Sequence, residues 1–383
     1  MKIILATPVY PPEIGGPATY TKELALRLRD THEIIIVAYA STSERIAGTK
    51  LFIASKRRPL LLRLGKYFFD LFRASKDADI IYVQNALAAG LPAIMVGMLR
   101  RIPVVLKFVG DEAWERANQE RRTNKFLEEF LAHPEGGWRT SIRMLIQGFV
   151  LRHADIVTTP SAYLREAIVR TYRIKPERAV VNYNAAEKEV ETVFPAAPMP
   201  HQIIATARLV EWKGLEGIVR AVALLKKEYP DVRAIIAGDG PEEQRLKALA
   251  EELKIADHIS FPGRVSRAET WYLRKNSEVY VLNSTYEGLP HTVLTSFAAR
   301  IPTVATDIPG TDEAVYDGVS GLLVPPGDPQ ALADAIARLF ADPALRAQVV
   351  EGASRILTEK FSWETHLAIL LTFFESVRAK PAH

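Results

Sequence analysis

The stretch VYVLNSTYEGLPHTVLTSFAARIPTVAT, residues 279–306, decides how this chain folds. Two short β-rich runs, VYVLNS (279–284) and PTVAT (302–306), bracket a loop and a segment that reads as a helix from about Pro290. Strand, helix and strand in that order are the repeating unit of a parallel sheet. One residue does not serve that plan. Glu287 is a carboxylate between an apolar strand and a helix start, where the fold alone has no need of charge.

The same alternation extends in both directions. Upstream, strands are expected at 2–7, 32–39, 79–84, 103–109, 155–160 and 179–183; around the opening stretch they are expected at 201–207, 232–238, 258–263 and 321–326. Helical periodicity fills most gaps, as in LEGIVRAVALLKKEY (215–229) and PEEQRLKALAEELK (241–254). The fold class is therefore α/β, with two doubly wound Rossmann-like domains. Residues 187–200 lack periodicity and cluster Pro195, Pro198 and Pro200, so they are read as a linker. The expected organisation is an N-terminal domain at 1–186, a second domain at 201–362, and a final helix at 363–383 that returns to the first. The apolar run ALAAGLPAIMVGML (86–99) is short of the roughly 20 residues that cross a bilayer and is read as a buried helix.

The 383 residues contain no cysteine, which excludes a disulfide framework, a zinc-thiolate site and a cysteine nucleophile and suits a cytoplasmic setting. The net charge of +4 conceals a division: residues 1–185 hold 28 Lys and Arg against 18 Asp and Glu, whereas residues 186–383 hold 21 against 27. A basic first half points to an anionic partner such as a membrane surface or a phosphorylated substrate. No zinc finger, RNP-type aromatic motif or basic stripe with interleaved aromatics occurs, so nucleic acid is not expected.

Ligands of doubly wound folds gather outside the carboxyl ends of the strands. Gly15 and Gly16 follow the first strand and open a helix, which suits close approach of a phosphate or sugar or simply a tight turn. Arg208 and Lys213 share the loop after 201–207, and two cations there suit a diphosphate. Gly238 belongs to the Gly-Asp-Gly turn of AGDGPEE (237–243), mostly a turn requirement but also a place where backbone approaches a ligand. Glu287 is placed to accept hydrogen bonds from ligand hydroxyls, and the helix near Pro290 points its N-terminus at the same space. Asp77, Asp79 and Asp155 precede their strands, at the opposite end, and no metal site is expected.

Six pieces in order, PPEIGGPATYTKELA, HADIVTTPSAYLREAI, ATARLVEWKGLEGIVRAVALL, AIIAGDGPEEQRLKALAEEL, the stretch from FPGRVSRAETWYL through TVATDIPG, and DGVSGLLVPPGDPQALADAI, resemble the retaining glycosyltransferases of family 4 (glycosyl transferases group 1). The resemblance runs over residues 1 to about 375 and implies the GT-B fold, two Rossmann-like domains facing across a cleft. It implies a nucleotide-diphospho-sugar donor, such as a UDP- or GDP-sugar, as co-substrate, with no cofactor and no metal. By resemblance, Arg208 and Lys213 stabilise the leaving diphosphate and Gly16 lies near the phosphates. Arg264 and Val265 line the base pocket, and Glu287 is the first glutamate of a Glu-x7-Glu motif and addresses the transferred sugar. Gly288, Leu289, Pro290 and His291 complete the donor-binding loop, with His291 equally well explained as an exposed helix-end histidine.

Three departures stand out. Thr295 occupies the second glutamate position, whose family role is to hold the ribose hydroxyls. Asn184–Glu187 reads NAAE where the family has an NGVD-like segment. After the fourth expected strand the chain has FVGDEAWERA in place of a histidine, and Asp111 is assigned there to sugar or acceptor hydroxyls. The implied reaction is transfer of a hexosyl unit with retention, by a route in which the departing phosphate oxygen helps deprotonate the acceptor. The segment RRPLLLRLGKYFFDLFRASK (57–76) mixes cations with large apolar residues, suiting contact with an anionic membrane or packing on the first sheet. A lipid-linked or cell-envelope glycan acceptor, at the inner face of the membrane, is the expectation. The alternatives are a sugar-nucleotide-binding protein with little or no transfer, and a GT-B epimerase or phosphorylase.

Overall fold

The computed structural model of the chain describes residues 1–13, 15–187, 189–190, 193 and 197–379. Within the expected linker, residues 188, 191, 192 and 194–196 lie outside the described residues, as do 380–383 of the expected final helix. The chain forms two compact units, Met1–Asn182 with Ala368–His383, and Tyr183–Leu367.

The first unit has a seven-stranded parallel sheet in the order β3-β2-β1-β4-β5-β6-β7. The strands are β1 (Lys2–Thr7), β2 (Glu33–Ala40), β3 (Thr49–Ser55), β4 (Ile80–Gln84), β5 (Val104–Lys107), β6 (Ile156–Thr159) and β7 (Ala179–Val181). They alternate with α1 (Gly16–Leu28), α2 (Leu60–Ala74), α3 (Leu91–Arg100), α4 (Glu112–Gln119), α5 (Leu127–Ala132), α6 (Trp138–His153) and α7 (Ala162–Tyr172). Central strands such as β1 and β4 are apolar on both faces because helices cover both, which is why they read as continuous runs. The edge strand β3 was not expected. It pairs with β2 from Ile34↔Thr49 to Ala40↔Ser55, but most of its residues are only half-buried, so its apolar signal is faint. The run 86–99 also differs from expectation. A π-helical turn, Ala86–Gly90, precedes α3, and Met95, Met98 and Leu99 are exposed where a fully buried helix was expected.

The second unit has a six-stranded parallel sheet in the order β10-β9-β8-β11-β12-β13. Its strands are β8 (Met199–Thr206), β9 (Arg233–Ala237), β10 (Ile259–Gly263), β11 (Ser277–Leu282), β12 (Thr303–Thr306) and β13 (Leu322–Val324). Its helices are α8 (Leu215–Leu225), α9 (Glu243–Glu252), α10 (Arg267–Lys275), α11 (His291–Ala298), α12 (Pro329–Ala341) and α13 (Pro343–Lys360), and α14 (Trp363–Arg378) follows. Starts are chemically marked. Ser266 and Glu269 form a reciprocal capping box on α10, and Asp328 caps α12 ahead of Pro329. One face of the sheet packs Ile203 and Val279 against Ile218, Val222 and Ile336; the other packs Ile204 and Tyr280 against Trp271, Val293 and Phe297. Residues from Tyr183 onward dock on this second unit: Ala186 N–H donates to Phe361 O and Tyr183 O–H to Glu313.

Candidate active site

In each sheet the strand order reverses beside the strand that starts the unit, between β1 and β4 in the first and between β8 and β11 in the second. Loops leaving neighbouring strands on either side of such a point part from each other and leave a crevice. In the second unit the two loops carry Arg208 and Lys213 after β8 and Glu287 after β11.

Lys213 and Glu287 meet. Lys213 Nζ donates to Glu287 Oε1 at 2.6 Å, and Ser284 Oγ donates to the same oxygen at 2.7 Å. Glu287 is 8% exposed, so its charge is stabilised largely by these two donors. Both bonds fall on Oε1, which leaves Oε2 to accept from a ligand. Arg208 is exposed, with its guanidinium carbon 5.5 Å from the Trp212 ring centroid.

Local backbone chemistry fixes this pairing. Gly214, at φ +60, lets the chain turn against β11: a Cβ there would sit 1.9 Å from Asn283 O. The Asn283 amide donates to Gly214 O at 2.7 Å, and Thr285 N–H to Trp212 O at 2.8 Å, so the two loops are stitched together. Asn283, Ser284 and Trp212 were not singled out from sequence, although they flank Glu287 and Lys213 directly. Gly238, at φ +146, follows β9, and a Cβ there would lie 1.7 Å from Ala207 O, so this glycine lets β9 approach the Arg208 loop. Arg264, after β10, pairs with Asp239 of the same turn at 3.0 Å, and Val265 beside it is half-buried.

The helix α11 begins at His291, exposed, with Pro290 at its N-cap and no side-chain cap. Gly288 is half-buried and Leu289 buried in the turn that leads there. Thr295 is 6% exposed and donates its hydroxyl to His291 O at 3.0 Å. Its oxygen can still accept, but its proton is spent within the helix.

The first unit carries the remaining expected residues. Gly15 has an extended φ of 166 and Gly16 begins α1, where a Cβ would meet no atom within 4 Å. The packing of the described residues thus does not demand glycine at Gly16.

Asp111 is placed differently from expectation. Only 1% exposed, it caps α4 by accepting from Trp114 N–H at 2.9 Å, while Oδ2 accepts from Gln147 at 2.7 Å and Tyr172 O–H at 2.5 Å. Burial raises its pKa, against the pull of those donors. Where a role toward sugar or acceptor hydroxyls was expected, the structure shows the carboxylate bonded within its own unit, joining α4, α6 and α7. Lys107, at the end of β5, was not singled out. It is 4% exposed, its ammonium lies 4.3 Å from the Tyr20 ring centroid, and desolvation lowers its pKa to about 7.

Two Rossmann-like units, the second with cations and a carboxylate at its strand-order reversal, are the architecture of a GT-B glycosyltransferase. The family model described as glycosyl transferases group 1 matches residues 187–355, and that described as glycosyl transferase 4-like domain matches residues 15–185. The chain belongs to this glycosyltransferase family. Among its relatives, alpha-D-kanosaminyltransferase of Streptomyces kanamyceticus is 32% identical across 42% of this chain and 42% of that protein, so that alignment spans less than half of the relative. Alpha-monoglucosyldiacylglycerol synthase of Streptococcus pneumoniae is 23% identical across 96% of this chain and 85% of that protein. The structure of Anabaena Alr3699/HepE in complex with UDP superposes with a TM-score of 0.76 at 20% identity, covering 98% of this chain and all of that one, a likeness of GT-B fold.

Proposed function

We propose that the protein transfers a hexosyl unit, with retention and without a metal, from a UDP- or GDP-sugar to a hydroxyl of a lipid-linked or cell-envelope glycan. The observation that carries this reading is the Lys213–Glu287–Ser284 group, on loops one of which also carries Arg208, where one carboxylate oxygen is spent and the other left for a ligand. As the glycosidic bond breaks, negative charge grows on the leaving diphosphate, and fixed cations at Arg208 and Lys213 stabilise that charge more than the ground state. Glu287 holds Lys213 in place through Oε1 and accepts a sugar hydroxyl through Oε2. The uncapped N-terminus of α11 presents N–H groups to phosphate. Gly238, Arg264 and Val265 serve the base, and Gly288, Leu289, Pro290 and His291 form the loop at the phosphates; Gly15 and Gly16 open α1 of the first unit as a backbone approach for a ligand there. Thr295 accepts from a ribose hydroxyl with the lone pairs that His291 leaves unused. The HepE structure with UDP and the lipid product in the name of the pneumococcal relative agree with this choice of donor and acceptor.

The test is a panel of UDP-, GDP- and ADP-sugars, each offered with and without glycan or glycolipid acceptors. Nucleotide release should depend on acceptor, and Glu287→Gln should lower it by about 10²- to 10³-fold with the melting temperature kept near wild type. Full activity in that variant would remove Glu287 from the site. Thr295 favours a second reading, a sugar-nucleotide-binding protein, because it replaces a carboxylate with a hydroxyl that bonds to its own helix. Donor binding without turnover on any acceptor would select it, and interconversion of the donor alone would select an epimerase.

A further inference from the structure

Large apolar side chains are exposed unevenly. In the second unit the exposed ones, such as Tyr272, Tyr316 and Val319, are scattered, as on any soluble surface. In the first unit most of them, all but Val109 and Phe126, gather on one helical layer. Helix α2 packs beside α3, and α3 beside α6. On α2 the outward residues are Leu60, Leu61 and Leu62 at its start and Phe69 two turns on, with Leu61 81% exposed. On α3 they are Met95, Met98 and Leu99, at i, i+3 and i+4. On α6 they are Trp138, Ile142 and Leu145, a helical stripe with Trp138 and Leu145 each 69% exposed.

The helices of this layer carry cations and little acid, although Arg143 of α6 is paired with Glu120 at 2.6 Å. Helix α3 contains Arg100 and no acid, and α6 contains Arg139, Arg143 and Arg152 and no acid. The only acid of α2, Asp70, is buried and paired with Lys66 at 2.6 Å. Arg57 and Arg58, exposed, precede α2, and Arg101, exposed, follows α3. The Arg100 guanidinium lies 3.9 Å from the centroid of the Phe72 ring of α2, so cation and aromatic form one surface.

We infer that the α2–α3–α6 layer is a docking surface for the anionic face of a phospholipid membrane. Apolar side chains ringed by cations match that interface, where the side chains enter the headgroup boundary and the cations meet acidic lipids. A second copy of the chain is the poorer occupant, since a two-fold contact would press one copy's cationic patch, Arg57, Arg58, Arg100 and Arg101, against the same patch of the other with no exposed acid on these helices to pair it. Among the described residues no helix is long and apolar enough to cross a membrane, so contact here is by docking. The surface deepens the lipid-linked reading of the acceptor and rests on it for its purpose.

The test is sedimentation of the full chain with phosphatidylcholine vesicles, with and without about one-third phosphatidylglycerol, in the absence of any donor. The protein should pellet with the acidic vesicles, be released by salt, and stay in solution with neutral ones. Leu61→Asp and Trp138→Asp, on separate helices, should each weaken partition by at least about tenfold, and Arg100→Glu/Arg101→Glu likewise. Tyr316→Asp on the second unit should not. Calorimetric binding of UDP and of GDP in the same variants should stay unchanged, which separates a failed surface from a failed active site. Equal binding to both vesicles, no binding to either, or a dimer in light scattering that the same substitutions dissolve would each overturn the proposal.

Discussion

Two buried ionisable residues of the first unit set its response to pH and substitution. Lys107 is charged when unfolded up to about pH 10.4, yet folded its pKa is about 7. Between those values the unfolded chain binds the extra proton, so stability from this site rises with pH from about 7 and is lowest below it. Lys107→Met should remove that dependence, raising the melting temperature by about 5 °C at pH 6 and by less at pH 9. A calorimetric pH series on both proteins checks it. Asp111→Asn keeps an acceptor for Trp114 but offers an N–H group toward Tyr172 and Gln147, at a cost of ~3 kcal/mol in urea unfolding. The sequence could show that a carboxylate stands after β5. It could not show where its bonds go, because Gln147 and Tyr172 lie far along the chain and only the packing of α6 and α7 brings them in.

At the scale of elements, the loops after β8 and β11 act as one piece. Gly214→Ala forces a side chain into Asn283 O from a positive φ, so it should displace Lys213 from Glu287, destabilise the second unit by about 1–3 kcal/mol and lower transfer sharply. Denaturant unfolding together with the donor panel reads both effects. Elements of this kind were legible when they repeated a strong pattern. Both sheets, α8 and the loops bearing Arg208 and Glu287 follow from continuous apolar strands and helical periodicity. The half-exposed β3 was not, because pairing on one side needs no apolar run. The π-helical turn at Ala86–Gly90 was not either, since it hangs on Asn85 accepting from Ala88 N–H, a local bond that apolar periodicity does not record.

At the scale of the whole molecule, α14 is divided between the units, with His366 accepting or donating at Tyr183 O in the second and Phe374 meeting the Tyr82 ring edgewise at 5.4 Å in the first. Arg378 pairs with Asp79 beside it at 3.0 Å. A chain ending at Leu367 would strip Leu370, Phe374 and Val377, all buried, from the first unit, at roughly 1.5–3 kcal/mol for each large side chain. In urea the unfolding of the first unit should move to lower concentration while that of the second holds.

Because the first unit is closed only by residues from Ala368 onward, the second, Tyr183–Leu367, is a continuous insert within it. A unit so threaded is a single cassette in gene terms. Exchange at Asn182 and Ala368 would move the whole second unit between relatives in one step and leave the first unit's own residues together, whereas a simple front-half and back-half chimera would always take a helix from the wrong parent.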